Sequence, residues 1–154
     1  DLQSYADVRR KTNDRSCVIK VSSKDFSVLL TADIEAFSEA AIVERYAAQP
    51  ETLRSDVLLM PHHGSLTSST PQFVDAVAPK LAVINAGYRN RFGHPRETVL
   101  ARYASRNIPV LRTDWHGAVL LGTDGGTTAV EIARETRQRY WADRPDRRDT
   151  RPIE

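Results

Sequence analysis

The run Asp56-Val57-Leu58-Leu59-Met60-Pro61-His62-His63-Gly64-Ser65 limits what this chain can fold into more than any other stretch. Three consecutive aliphatic residues on a short segment read as a strand buried on both faces, the pattern of a parallel sheet. Proline then stops the ladder, because it has no N–H to contribute. Two of the four histidines follow side by side, and Gly64 allows a sharp turn or a close backbone approach. Neutral imidazole is the commonest metal ligand and the usual acid/base group near neutral pH. A buried strand that delivers two imidazoles to its end therefore points to a metal or catalytic site.

The flanking sequence extends this unit. Ser16–Val21 and Phe26–Leu30 read as two strands joined by the polar turn 22–25 and paired antiparallel. Ala36–Ala48 has helical spacing, with Ala40, Ile42, Val43 and Tyr46 as its buried set. Thr70-Pro71 is a helix start, with threonine at the cap and proline in the first turn, and that helix runs to about Val77. Leu81–Ile84 is a second buried strand. Asn85–Gly93 is a polar, arginine-bearing loop, and Pro95 opens a helix carrying Val99, Leu100 and Tyr103. Val110–Thr113, Ala118–Leu121 and Thr128–Ile132 complete the strands, with turns at Asp114–Gly117 and Asp124–Gly126. The order β-β-α-β-α-β-α-β-β-β specifies a layered α/β fold with a mixed sheet.

Composition adds mainly exclusions. The 154 residues fit one domain, and a hydrophobic fraction of 40% is enough for a core. The net charge of +2 does not by itself mark a nucleic-acid binder. Seven arginines do crowd between Arg134 and Arg151 among aspartates and a proline, and 134–154 reads as a disordered tail after a domain spanning 1–133. The single Cys17 rules out an intrachain disulfide and reads as a core residue within the first strand. No apolar run approaches the roughly 20 residues that span a bilayer. The chain begins on Asp1 without methionine and reads as a piece of something longer.

Four positions could carry chemistry. Asp33 lies just past the second strand, in the short connection to a helix, where it serves either as a ligand or as the cap of that helix. His62 and His63 point in opposite directions if the segment is extended, so one can ligate while the other packs or meets substrate. His94 lies at the mouth of a helix after a strand, as a ligand, a proton donor or a structural neighbour. Arg89 and Arg91 in its loop are candidate phosphate contacts, or simply solvated residues. His116, in a turn, reads as structural. Ser65 and the hydroxyls after it read as loop hydrogen bonders and caps, with Ser65 also a candidate donor to a bound anion; the Gly-x-Ser-x-Gly elbow of a serine nucleophile is absent.

Five ordered segments then carry a family resemblance. They are Asn13–Val18, Leu29–Glu35, Asp56–Thr70, Asn85–Pro95 and Val110–Asp114, within roughly residues 13–132. Together they resemble the C-terminal metallo-β-lactamase-like domain of ComEC-type competence proteins. The resemblance implies an αββα sandwich of two mixed sheets between helices, of which this chain holds the C-terminal half. It implies one or two divalent ions, Mn or Zn, with Asp33 as the bridging ligand, His62 or His63 as a further ligand, and His94 as the competing candidate. It also implies phosphodiester hydrolysis of DNA during natural transformation, with His62, His63 and His94 as catalytic candidates and Arg89, Arg91 and Ser65 meeting substrate. The partners implied are DNA, the membrane-channel part of the same polypeptide, and other competence proteins. The implied location is a soluble, periplasmic-side domain of a bacterial inner-membrane protein. Two departures stand out. The family's His-x-Asp-x-Asp-His motif is absent, which leaves these residues expected to be inactive alone, and Ala32 replaces the glycine common before the aspartate. Two other functions remain open: a non-catalytic DNA-guiding or docking domain of the same channel, and a soluble hydrolase of small phosphoesters on the metallo-β-lactamase fold.

Overall fold

The structure is a computed structural model that describes residues 11–123 and 128–137. The first sheet is built from β1 (Ile19–Ser22), β2 (Ser27–Leu30), β3 (Val57–Leu59), β4 (Leu81–Ile84) and β5 (Val110–Arg112), in that spatial order. β1 runs antiparallel to β2, with Ile19 opposite Leu30; every later pairing is parallel. The connections are α1 (Ala36–Arg45), α2 (Pro71–Val77) and α3 (Glu97–Ala104). β5 leads into the single turn α4 (Thr113–His116). The hairpin β6 (Val119–Thr123) and β7 (Thr128–Ile132) forms a separate two-stranded sheet, and α5 (Ala133–Thr136) follows it. The protein is thus α/β with a mostly parallel sheet, and the predicted order of strands and principal helices holds.

The buried aliphatics divide the first sheet into two faces. Leu29, Leu58, Ala82 and Ile84 share one face through the strand register and pack with Phe73, Val74 and Val77 of α2 and Val99 and Tyr103 of α3. At the β1–β2 end of the opposite face, Ile19, Val21 and Leu30 are exposed, at 54%, 57% and 37%. Three large apolar side chains exposed side by side form a strip of the kind that a further packed layer would cover.

Several boundaries differ from expectation. α1 stops at Arg45 rather than Ala48, and α3 begins two residues after Pro95. Asp114–Gly117 closes as part of a helical turn ending at Gly117, which has φ +73°. Cys17 precedes β1 and is exposed, so it is not a core residue. Arg134 and Glu135 belong to α5; residues 138–154, which hold most of the predicted tail, and the Asp124–Gly126 turn lie outside the described residues.

The most instructive difference is on α1. Ala40 is exposed, and its neighbour Glu39 is fully buried instead. Helical spacing of apolar residues cannot reveal a buried carboxylate, because burying one is normally prohibitive without partners. Glu39 has them: its two oxygens accept the backbone N–H groups of Ser69, at 2.5 Å, and Thr70, at 2.7 Å. From the other side Arg102 of α3 donates to the carbonyls of Ser68 and Ser69, and Tyr103 donates to Ser69 Oγ. Thr70 caps α2 by accepting from Phe73 N, as its sequence predicts. The loop between the histidines and α2 is therefore clamped by α1 and α3 together.

Burial raises the Glu39 pKa above the ordinary carboxylate range, outweighing the hydrogen bonds from Thr70 and Ser69 and the nearby Arg102 charge. The native state therefore holds a proton here more readily than the unfolded chain. Glu39's contribution makes stability fall as pH rises from the unfolded value through the raised native pKa. Glu39→Ala strands two buried N–H donors and should cost roughly 2–5 kcal/mol, read as a lower urea midpoint. Glu39→Gln should remove Glu39's share of the pH slope. An unchanged midpoint in the alanine variant would show that the clamp does not hold the loop.

Candidate metal centre at the strand ends

The candidate ligands come together where β2 and β3 end. After β2, Ala32 takes a left-handed conformation, φ +47°, so the chain bends immediately before Asp33. Ala32 thus takes a backbone conformation that favours glycine. Beyond β3, Pro61–Gly64 is a helical turn in which His62, His63 and Gly64 all have positive φ, at 47°, 54° and 77°. The segment is not extended, which alters the reasoning from alternating side chains: the two rings stand 6.4 Å apart, edge to face. Histidine tolerates this region better than most residues, but consecutive left-handed residues are costly.

The turn is tied on each side. His62 N–H donates to the Ala32 carbonyl at 3.0 Å, and Arg96 N–H donates to the Gly64 carbonyl at 3.0 Å. Thr67 O accepts from Ala36 N–H at the start of α1. Gly64 is required for space as well as for its φ. A Cβ there would lie 2.7 Å from Pro95 Cβ and 3.1 Å from Met60 Sδ.

Asp33 does not cap α1; Glu35 holds the cap position and makes no side-chain cap bond. Asp33 Oδ1 instead lies 3.4 Å from His63 Nε2. His63 Nδ1 lies 2.6 Å from the Asn85 carbonyl, so Nδ1 carries a proton and donates it. In the neutral ring, Nε2 then presents a lone pair to a carboxylate oxygen. Two acceptors at that distance are reconciled by a proton or a cation between them. Two donors each about 2.1 Å from a tetrahedral zinc ion lie about 3.4 Å apart, and the backbone bond at Nδ1 is the usual support behind a ligating imidazole. This pair therefore fits one edge of a metal site. Among the described residues, however, no group of three or more His, Cys, Asp or Glu is placed to hold an ion.

His62 faces a different carboxylate. Its Nδ1 lies 3.8 Å from Glu35 Oε1, and its Nε2 is 3.5 Å from Asn13 Nδ2. Asn13 and Lys11 also donate to Glu35, at 2.9 and 3.3 Å. Burial works against the charged form of Glu35, but these donors, with the nearby Lys11 and His62, prevail and lower its pKa. Sequence reasoning assigned Glu35 no role; its position two residues after Asp33 was the available signal.

His94 joins from the far side, its ring 6.0 Å from that of His62. Its Nδ1 is buried and has no hydrogen-bond partner among the described residues. Burial lowers its pKa, aided by Arg96, His62 and His63, so the ring is neutral near pH 7. Ser65 is buried and pairs with Thr67 Oγ1, in keeping with the hydroxyls read as loop hydrogen bonders. Ser68 Oγ ties Pro61 O to Ser65 O. His116 Nδ1 accepts from Arg112 N–H at 2.9 Å, a structural bond. Arg89 and Arg91 are exposed in the His94 loop. A cavity between α1 and β1, lined by Leu29, Ile34, Phe37, Ile42, Arg45 and Tyr46 among others, includes none of Asp33, His62, His63 or His94.

Gly64→Ala should lower stability by about 2–4 kcal/mol, from overpacking against Pro95 and the positive φ. The expected readout is a thermal midpoint lower by roughly 5–15 °C; a midpoint within a degree of the wild type would mean that the close approach to Pro95 is not maintained.

No family model matches the chain. Curated proteins similar to it include the following three. Competence protein ComA of Neisseria gonorrhoeae is 37% identical over 133 residues, 86% of this chain and 19% of that protein. ComE operon protein 3 of Bacillus subtilis (strain 168) is 35% identical over 107 residues, 70% of this chain and 13% of that protein. Recombination protein 2 of Haemophilus influenzae is 37% identical over 133 residues, 86% of this chain and 16% of that protein. The chain spans less than a fifth of the length of each of these relatives. Similarity of this extent to a competence protein, a ComE operon protein and a recombination protein supports the ComEC-type resemblance of the sequence.

Proposed function

We propose that this chain forms part of a metal-dependent phosphodiesterase domain of a DNA-uptake protein in natural transformation. The observation that carries the reading is the Asp33–His63 pair, with facing donor atoms 3.4 Å apart at the ends of adjacent parallel strands. Ligand sites in open α/β sheets form at the carboxyl ends of strands. Similarity to a competence protein and a ComE operon protein supports a setting in competence; DNA as substrate and a membrane channel as the rest of the polypeptide belong to the proposal. No helix among the described residues is long and apolar enough to cross a membrane. A periplasmic-side domain attached to such a channel is part of the same proposal.

Two donors do not hold an ion firmly, so the reading requires further ligands from elsewhere in the polypeptide. The exposed apolar strip of Ile19, Val21 and Leu30 supports the same view, since a second sheet packed there would give the sandwich of the metallo-β-lactamase fold. Bound Mn or Zn ions, two in the complete site, would supply an activated water and charge neutralisation at phosphate. Asp33 and His63 would hold them. His62, oriented by Glu35 and Asn13, would stand beside the pair as a further ligand or a phosphate contact. His94 is neutral near pH 7, which suits taking up a proton or offering its lone pair better than protonating a leaving group. Arg89 and Arg91 would neutralise the flanking backbone. A non-catalytic DNA-guiding domain is the second reading, favoured by the absence among the described residues of a three-donor group.

The test uses the full-length polypeptide that contains this chain. It should bind Mn or Zn and hydrolyse DNA. Asp33→Ala and His63→Ala should each lower metal affinity by at least about 10- to 100-fold, with activity falling in parallel. The 154-residue chain alone should bind metal weakly and hydrolyse nothing. Metal content that survives His62→Ala and His63→Ala alike would sink the ligand assignment. Full metal loading without hydrolysis would favour the guiding role, and robust hydrolysis by the chain alone would show that the site is complete within it.

A further inference from the structure

Beside the candidate metal centre, the loop Gly87–His94 holds two large aromatic rings in solvent. Tyr88 is 53% and Phe92 60% exposed. Each carries an arginine: the Arg89 guanidinium carbon lies 5.1 Å from the centre of the Tyr88 ring, and that of Arg91 lies 4.9 Å from the centre of Phe92. The loop is braced rather than slack. Asn90 Nδ2 donates to Gly87 O and His94 O, at 3.2 and 2.7 Å, and Asn90 Oδ1 accepts from His94 N–H at 3.0 Å. Asn90 N–H also donates to Gly87 O, and Gly93 N–H to Asn90 O. The inner end of the loop reaches the site, because the Phe92 ring lies 14° from parallel to His94 with centres 6.0 Å apart.

A braced loop that exposes two aromatics, each next to a cation, offers alternating π faces and positive charge along one path. Nucleobases stack on aromatic rings whatever their identity, and the phosphates between them seek cations. In a duplex those faces are already stacked and hidden, so only unpaired nucleotides can use such a surface. We infer that the Tyr88–Phe92 loop is a stacking platform for single-stranded nucleic acid: bases stack on Tyr88 and Phe92, Arg89 and Arg91 take the intervening phosphates, and the strand passes Phe92 toward His94 and His62. The inference rests on the phosphodiesterase reading for its direction of travel and adds how the strand is gripped. Asn90 acts as a positioning residue.

The experiment measures binding without hydrolysis. A fluorescein-labelled oligothymidylate and an abasic oligonucleotide of equal length are titrated with the full-length polypeptide in EDTA, by fluorescence anisotropy. Oligothymidylate should bind more tightly than the abasic strand or a duplex. Tyr88→Ala and Phe92→Ala should each weaken oligothymidylate binding about 5- to 100-fold and leave abasic binding unchanged. Tyr88→Phe and Phe92→Tyr keep a ring and should retain affinity, which separates stacking from any loss of fold. Arg89→Gln and Arg91→Gln should weaken both strands and lower the salt slope by about 0.7 each. Asn90→Ala should weaken oligothymidylate more than abasic binding. Equal affinity for the two strands, or alanine variants that bind oligothymidylate normally, would overturn the platform while leaving metal-dependent hydrolysis standing. No binding to either strand would also overturn it, and would point to a protein contact for the exposed rings. Base-dependent binding in a full-length polypeptide that never hydrolyses DNA would remove only the phosphodiesterase reading.

Discussion

Three consecutive left-handed residues, His62, His63 and Gly64, cannot hold themselves in place. Each non-glycine residue there costs roughly 1–2 kcal/mol, so the turn exists only because its surroundings leave no alternative. Those surroundings are specific. Ala32 O and Arg96 N–H take up the backbone at the two ends, and Pro95 occupies the space a side chain at position 64 would need. The stretch that follows is clamped by the buried Glu39 carboxylate from α1 and by Arg102 and Tyr103 from α3. Both helices thus bear on one short connection. The result is an imidazole pair delivered at a fixed angle to Asp33 and Glu35, and strain of this kind gathers where a site must be preorganised.

The architecture was legible in the sequence because its signals were local. Val57–Leu59 and Leu81–Ile84 read as buried strands, and Thr70-Pro71 as a good helix start, and the structure has them so. The features that escaped were those set by distant partners. Glu39 is buried because Ser69 and Thr70, thirty and thirty-one residues on, present N–H groups to it. Hydrophobic spacing placed Ala40 on the inner side for want of that knowledge. Asp33 illustrates the same limit. Its position before a helix allowed a cap or a ligand; the cap position falls on Glu35, and the Asp33 carboxylate instead faces His63 from the neighbouring strand end.

The site itself was half legible. Sequence reasoning chose Asp33, His62, His63 and His94, and the fold places their side chains around one strand-end region. It did not anticipate that two separate carboxylate–imidazole pairs would form. Asp33 faces His63, whose tautomer is fixed by the Asn85 carbonyl, whereas Glu35 faces His62 and is itself held by Asn13 and Lys11. The first pair opens a lone pair toward a carboxylate and suits a cation. The second is saturated with donors and suits orientation. Spacing alone cannot make that distinction, because it depends on which atoms behind each ring are donors and which are acceptors.

The neutral His94 connects these pairs to the exposed loop. Its ring stacks on Phe92 on one side and approaches His62 on the other, while its buried Nδ1 lacks a partner among the described residues. A buried imidazole nitrogen without a hydrogen bond is a cost that the free protein bears. Whatever reaches Nδ1 removes that cost, whether a ligand donor, a metal ion or a side chain from a layer packed on the sheet. Asn90 holds the His94 backbone at both its N–H and its carbonyl. Recognition outside the site and chemistry within it would then be joined: a strand seated on Phe92 would bear on the imidazole stacked beside it.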